Sequence, residues 1–518
     1  MLGSDVFGRD GVAVLTAAQS LALDRDAEAR HGIAGRVLME NAGRSAAEVI
    51  ERLYPRGRVV AVVGSGNNGG DALVTVRTLG AWGREVAYVA VGSREPDATL
   101  LHGHGVAPLP VDALGAALRD AAVVVDGILG TGASGAPRGR AAEAIRAVNA
   151  SGAPVVALDV PSGVDGTTGR VAGEAIQAEA TVTFGWPKLG LFFFPGRSYC
   201  GRLIAVEIGF PPLEPGFRPA AELATPGWAA ARLPTRAPDA YKATAGRVLV
   251  AAGSDGMAGA AIIAAHASLR AGAGYVRLAS PAGNRTVLQS ALPEAVYVDA
   301  ADGERLDEAA AASDAVLAGP GMGTDAASEA LLRRVLERTG GRPAVIDADA
   351  LTLLARDPEW LAAACASRAA VLTPHPGEMS RLTGQPVAAL LEDPAGAARE
   401  LADRLGCVVL LKGAPSIIAS PGEPVLINTV GSSDVAKAGM GDQLAGTIAA
   451  LLAAGAPARV AAGLGLFYAG RAADLVGRGR TLGPRDVSDA LARAFSDPGA
   501  TSSPLGLPFV TFDQPPRW

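Results

Sequence analysis

The chain has 518 residues, 49% hydrophobic and 19% charged, which suits two or three domains with sizeable apolar cores. A net charge of −6 without a basic run excludes nucleic acid as the main partner, and no uncharged apolar run is long enough for a membrane span. Cys200, Cys365 and Cys407 are far apart and show no metal spacing, and the first ten residues lack the basic-then-apolar order of a secretory signal, so the expected setting is a reducing cytoplasm.

Residues 13–54 show helical spacing in two stretches, 15–25 with Thr16 as N-cap and 36–50. An apolar run at 58–64 then predicts a buried parallel strand. It feeds a turn in which Gly64, Gly66 and Gly69 match the Gly-x-Gly-x-x-Gly pattern, followed by a helix predicted over 72–79. The next strand, 85–91, ends in Gly92-Ser93-Arg94 without the acidic residue of a dinucleotide fingerprint, which weakens an ordinary NAD dehydrogenase reading. Asn67, Asn68, Gly69, Gly70 and Asp71 place two amides and a carboxylate at one strand end, a set that suits a polar ligand or a cation and also occurs in plain turns.

The strand-then-polar-end pattern repeats. Runs at 122–126, 155–159 and 181–188 end in Asp126, Asp159 and Lys188, with Gly130-Thr131-Gly132 and Ser162 close behind, and 203–209 closes the unit. Alternating strands and helices predict a doubly wound parallel sheet, whose ligands sit at the carboxyl ends of the strands. Only four of the 46 Lys and Arg residues are Lys (Lys188, Lys242, Lys412 and Lys437), which marks places where a compact point charge serves and a guanidinium does not.

Composition turns Pro-rich across 211–240, which sets the expected organisation: a domain over 1–215, a linker over 216–240, a second domain over 241–500 and a Pro-rich tail over 501–518. The second domain repeats the α/β alternation. Glycine-rich turns follow strands near 246–252 and 315–318, Asp347 and Asp349 end another strand, His375 and Glu378 a fourth, and Lys412 a fifth. The stretch 431–446 is then read as a glycine loop running into a helix. Gly439 and Gly441 admit close backbone approach, the first helical turn favours a phosphoryl group, and Asp442 beside it suits a base for an attacking hydroxyl. His31, His102, His104 and His266 lie in unremarkable surroundings, and zinc spacing, a Gly-x-Ser-x-Gly elbow and a Walker loop are absent.

Taken in order, these pieces resemble the bacterial bifunctional NAD(P)H-hydrate repair enzyme family, an NAD(P)HX epimerase fused to an ADP-dependent NAD(P)HX dehydratase. In the first half the resemblance rests on Leu38-Met-Glu-Asn-Ala-Gly43, Asn67-Asn-Gly-Gly-Asp71, Asp126 with Gly130-Thr-Gly132, Asp159-Val-Pro-Ser-Gly-Val-Asp165 and Thr181-Val-Thr-Phe-Gly185 with Lys188. In the second it rests on Gly319-Pro-Gly321, Asp347-Ala-Asp-Ala-Leu351, Thr373-Pro-His-Pro-Gly-Glu378, Lys412-Gly-Ala414 and Gly441-Asp442. It implies two three-layer α/β/α domains, the first Rossmann-like and the second ribokinase-like. It implies substrates NADHX and NADPHX, hydrated at C6 of the nicotinamide ring, and a homo-oligomer.

For the first domain the resemblance implies potassium held by Asn68, Asp126 and Ser162. The hydrate would be bound by Asn67, Asn68, Gly69, Gly70, Asp71, Gly130, Thr131, Gly132 and Asp159, with Asp159 or Lys188 as the acid/base. For the second it implies Asp442 as base and ADP with Mg2+ as phosphoryl donor. Lys412, Gly413, Ala414, Pro415, Ser416, Lys437, Gly439, Met440 and Gly441 would hold the nucleotide, and Ala260, Gly321, Gly323, His375 and Asp442 the hydrate. The chain departs from the family pattern at Ala72 (Gly expected), Met440 (Thr), Lys437 (Thr), Ser433-Asp434 (Pro-Gly) and Tyr468 (His). Two alternatives stay open: a non-catalytic NAD(P)-binding or interaction module for the first half, and an ATP-dependent small-alcohol kinase for the second.

Overall fold

A computed structural model describes residues 10–239, 241–242, 245–500 and 503–516. The chain forms two units, one of Met1–Glu222 with Ala500–Trp518 and one of Leu223–Gly499. Part of the segment expected as a linker is regular: Ala221–Ala224 is a strand and Pro226–Arg232 a helix. The Thr225 hydroxyl accepts the Trp228 amide at 3.1 Å and the Trp228 ring is fully buried, so capping and apolar burial override the Pro-rich composition there. Residue 240 of that segment, and 501, 502, 517 and 518 of the expected tail, lie outside the described residues.

In the first unit, Thr16 and Gln19 form a reciprocal capping box that starts the helix Ala17–His31. The helix Gly35–Leu53 buries Leu38, Ala42, Ala46, Val49 and Ile50 along one stripe. The sheet order is Val510–Gln514, Arg202–Val206, Ala180–Phe184, Val155–Leu158, Ala121–Gly127, Arg58–Val63, Val86–Ala90 and Ala107–Leu109. Its central strands are nearly continuous buried Val and Ala, as parallel strands covered on both faces require. Part of the Pro-rich end of the chain is docked as a strand. Val510–Gln514 pairs antiparallel with Arg202–Val206, buries Val510 and Phe512, and sets Asp513 in a two-pronged pair with Arg202 at 2.7 Å.

Strand order reverses at Arg58–Val63, which lies between Ala121–Gly127 and Val86–Ala90, and the site opens beyond its carboxyl end. The helix after it is Asn67–Ala81, starting earlier than the predicted 72–79, so Asn67 to Asp71 form its first turns and not a loop. Glycine is required there. A Cβ on Gly64 would collide with the Ile128 carbonyl, and one on Gly69 with the Gly64 carbonyl.

In the second unit the sheet runs Val425–Asn428, Ile417–Ala419, Val408–Leu411, Ala370–Leu372, Ala344–Ile346, Ala315–Ala318, Arg247–Ala251, Tyr275–Ser280 and Val296–Asp299. Pairing is parallel from Val408–Leu411 to Val296–Asp299, and the hairpin Ile417–Ala419 with Val425–Asn428 continues it antiparallel. Arg247–Ala251 is the reversal point. The helices Ala258–Arg270, Met440–Ala453 and Ala458–Val476 supply much of one core, through Ala261, Ala265, Leu444, Ile448, Leu464 and Phe467. Both units are the doubly wound α/β layers expected. No described helix is long and apolar enough to cross a membrane.

Candidate active sites

In the first unit a hydrogen-bonded chain crosses three strand ends. Asp126 ends Ala121–Gly127 fully buried, and its carboxyl accepts the Ser162 hydroxyl at 2.6 Å, the Ser162 amide at 2.9 Å and the Ile128 amide at 3.2 Å. Ser162 Oγ accepts the Leu129 amide at 2.8 Å, and Asn68 Nδ2 donates to the Leu129 carbonyl at 2.8 Å. Asn68 Oδ1 is buried with no hydrogen-bond partner among the described residues. Burial pushes the Asp126 carboxyl up to about 6 against the opposing effect of its donors. The result is a cluster of hard oxygens around one carboxylate, with one amide oxygen unspent.

Asp159 lies beside it. It follows the strand Val155–Leu158 with φ 64°, a left-handed conformation that a non-glycine residue holds only under constraint. The constraint is visible in its partners. Lys188 Nζ donates to Asp159 Oδ1 at 2.5 Å, the Thr131 hydroxyl donates to Oδ2, and the Thr183 hydroxyl and Phe184 amide lie at 3.4 Å. Lys188, 2% exposed, also donates to the Phe184 carbonyl at 2.8 Å. Asp71 completes the group. Burial, then the charges of Asp159 and Asp24, push its carboxyl well above the carboxylate range, with Lys188 opposing. Asn68, Asp126, Ser162, Thr131, Asp159 and Lys188 are therefore brought together, with Gly130 packed on the Asn68 side chain. Asp24, on the helix Ala17–His31, is a neighbour that no sequence signal marks.

In the second unit Gly439, in the left-handed region at φ 82°, precedes the helix Met440–Ala453, which has no side-chain cap. Gly441 and Asp442 thus occupy its first turn, where amides have no helical acceptor. Asp442 is half-buried. Burial first, then Asp347 and Asp349, against the opposing charge of Lys412, push its carboxyl up to about 6. Lys412 Nζ donates to Asp347 Oδ1 at 2.8 Å, lies 3.7 Å from Glu378 Oε2, and would be 3.4 Å from a Cβ on Gly441. The ammonium therefore faces the helix start.

His375 caps the helix Pro376–Thr383 through Nδ1, which accepts the Gly377 and Glu378 amides at 3.0 and 3.3 Å, and its Nε2 is 3.4 Å from Glu378 Oε1. The Gly323 amide donates to Asp349 Oδ2 at 2.9 Å, and a Cβ on Gly321 would touch the Ala260 methyl at 2.9 Å. In the turn after Lys412, the Gly413 amide and carbonyl both bond Ser416 Oγ at 3.1 Å, and Gly413 and Ala414 are exposed. Asp347 and Glu378, which order the lysine, are the residues that a reading by single motifs undervalues.

A family model described as YjeF-related protein N-terminus matches residues 35–190, and one described as NAD(P)H-hydrate dehydratase matches residues 248–493. The bifunctional NAD(P)H-hydrate repair enzyme of Thermofilum pendens is 38% identical over 484 residues, 88% of this chain and 91% of its own. That of Moorella thermoacetica is 39% identical over 499 residues, 90% and 93% of the two chains. The chain belongs to the bifunctional NAD(P)H-hydrate repair enzyme family. The Mycobacterium tuberculosis relative of the same name is 40% identical over 414 residues, 78% of this chain and 80% of its own. The ADP/ATP-dependent NAD(P)H-hydrate dehydratase of Bacillus subtilis, crystallised with ATP and Mg2+, aligns with 53% of this chain and 97% of its own at 30% identity and TM-score 0.46.

The departures from the repair-enzyme pattern have local physical accounts. Ala72 is fully buried with its methyl against Gly127, so the site does not meet it. Met440 packs its side chain into the apolar core. Lys437 donates to the carbonyls of Arg480 and Leu482, both at 2.8 Å. Two of its three protons are thus committed to the turn before the helix Pro484–Ser496, an occupation different from the phosphate contact expected of it. Tyr468 is buried edge-on against Phe467 and Phe495, with ring centroids 5.4 and 4.8 Å away. Nothing in the structure explains Ser433-Asp434.

Proposed function

We propose that the first unit interconverts the R and S epimers of NADHX and NADPHX, and that the second removes water from the S hydrate at the expense of ADP. The observation that carries the second half is the placement of Asp442. Hydroxide leaves poorly, so the C6 hydroxyl must first become a phosphate ester. Asp442, raised in pKa and set in an uncapped helix start, takes the hydroxyl proton as the oxygen attacks the β-phosphorus of ADP. The amides of Gly439 and Gly441 and the Lys412 ammonium face the charge that develops, while the Met440 amide donates to the Lys437 carbonyl at 3.3 Å. Elimination then yields NAD(P)H, AMP and phosphate. Lys412, Gly413, Ala414, Pro415 and Ser416 hold the nucleotide with its Mg2+, and Ala260, Gly321, Gly323 and His375 hold the hydrate.

In the first unit a potassium ion fits the oxygen cluster of Asn68, Asp126 and Ser162, since the unpartnered Asn68 Oδ1 and one buried carboxylate match a large monovalent cation. Such an ion supplies a fixed positive field near the hydrate. Asn67, Gly69, Gly70, Gly130, Thr131, Gly132 and Asp159 line the substrate side.

The test is to give the purified protein each hydrate epimer with ADP, ATP or neither, and to follow NAD(P)H, AMP and phosphate. Dehydration of the S epimer in step with AMP release is expected. Phosphorylation of hydroxymethylpyrimidine by ATP without hydrate turnover would favour the kinase reading instead. Potassium chloride should also raise the thermal midpoint above that in tetramethylammonium chloride of equal strength, by an amount equivalent to about 2–3 kcal/mol of stability at a hundredfold excess over the dissociation constant, and Asn68→Leu should erase the difference. Lys437→Ala should loosen the loop before Met440, raising KM for ADP several-fold with a smaller change in kcat. Unchanged steady-state constants would show that the two carbonyl tethers are dispensable.

A further inference from the structure

We propose that Asp71 is the proton donor to the departing C6 hydroxyl in the epimerisation and that Asp159 is the base for the water that returns on the other face. The inference rests on the epimerase reading of the first unit. Asp71 lies one helical turn beyond Asn68 on the helix Asn67–Ala81 and so shares its face. Asn68 packs on Gly130, and Thr131, the next residue, holds Asp159. The Asp71 carboxyl is an electrostatic neighbour of both Asp159 and Lys188.

Their surroundings are opposite. Asp159 is matched by the Lys188 ammonium at 2.5 Å, the Thr131 hydroxyl and two longer donors. Asp71 is buried, and no hydrogen bond to its carboxyl is present among the described residues. The charged groups that reach it are Asp159 and Asp24, which favour its neutral form, and Lys188, which opposes them. Two neighbouring carboxyls, one engaged by an ammonium and hydroxyl donors and one without such donors, are what a two-residue acid–base reaction needs.

The Asp71 proton passes to the C6 hydroxyl and the C6–O bond breaks. The ring N1 lone pair forms the N1=C6 bond, and water leaves. A second water gives a proton to Asp159 and adds to C6 from the opposite face, and the N1=C6 pair returns to N1. C6 is inverted, one water has been exchanged, and the proton passes from Asp159 back to Asp71 through solvent. In the reverse direction the two carboxyls exchange roles.

The experiment uses the full-length protein and the R hydrate of NADH in H2 18O, with epimers separated by chromatography and weighed by mass spectrometry. The parent should incorporate one labelled oxygen per inversion, and its epimerisation rate should fall on the alkaline side as Asp71 loses its proton. Asp71→Asn should lower epimerisation by about 10²–10⁴-fold and lose that alkaline limb, with dehydration of the S hydrate retained. Asp71→Glu should keep the limb and hold activity within about tenfold of the parent. An Asp71→Asn protein that epimerises at the parent rate, or inversion without label, overturns the proposal. If Asp71→Asn also loses dehydration through misfolding, the parent's label and alkaline limb decide, and absence of either overturns it. A parent that never interconverts the epimers while still dehydrating the S hydrate defeats the epimerase reading itself, a distinct result.

Discussion

Asp442→Asn should lower nucleotide-dependent dehydration by about 10²–10⁴-fold while epimerisation continues at the parent rate. The carboxyl sits in the first turn of the uncapped helix Met440–Ala453, and Asn cannot accept a hydroxyl proton there. The parent enzyme should show the same dependence in its pH profile. Asp442 titrates near 6 and works only when ionised, so dehydration should fall about tenfold per unit as pH drops below that value. Stability should move the other way. Because the folded-state pKa lies above the unfolded one of about 3.9, ionised Asp442 costs stability fully above about pH 6, and the cost is relieved as pH falls towards 4. Asparagine removes the charge facing Asp347, so the variant's thermal midpoint at pH 7 should rise, by an amount equivalent to about 1–3 kcal/mol. Lost dehydration together with a raised midpoint excludes misfolding as the cause. An unchanged acid limb would show that another group sets the base.

Much of this architecture is legible in the chain because its strands are simple. Runs such as Arg58–Val63 and Val155–Leu158 are apolar on both faces and end at polar residues, so strand and site are written together. Thr16 and Gln19 mark a helix start in the same direct way. What is hidden depends on tertiary partners. Asn67 begins a helix two glycines before propensity would allow it, because Gly64 and Gly69 let the turn close against Ile128 and Gly64 carbonyls. Met440 reads as a lost donor until its side chain is found in the core. The bonds of Lys437 to the carbonyls of Arg480 and Leu482, more than forty residues on, have no sequence signal. The edge strand Val510–Gln514 is masked by prolines that flank it, since an edge strand tolerates Pro at its ends. Asp24 faces the first site from a helix whose spacing signals only packing.

Lys188→Met should abolish epimerisation and destabilise the first unit by about 3–5 kcal/mol. Methionine fills the volume of the lysine stem, so the loss is not one of packing. What goes is the ammonium, which at 2% exposure donates to Asp159 at 2.5 Å, the Phe184 carbonyl at 2.8 Å and the Thr183 hydroxyl at 3.3 Å. Asp159 would remain buried, in a left-handed backbone conformation, with hydroxyls and an amide as its remaining donors. For a unit of this size the expected fall in thermal midpoint is about 2–4 °C per kcal/mol. Adding Asp159→Asn to Lys188→Met should recover much of the stability, because the unpaired charge is gone, and none of the activity, because the base is gone too. Lys188→Arg should fail as well: a planar guanidinium is wider than the compact ammonium that is buried here with acceptors at 2.5, 2.8 and 3.3 Å, in a chain with 46 Lys and Arg of which only four are Lys. If the single variant unfolds at the parent's temperature, the ion pair is not what holds Asp159 in place, and its left-handed backbone must be maintained by Thr131 and the strand end alone.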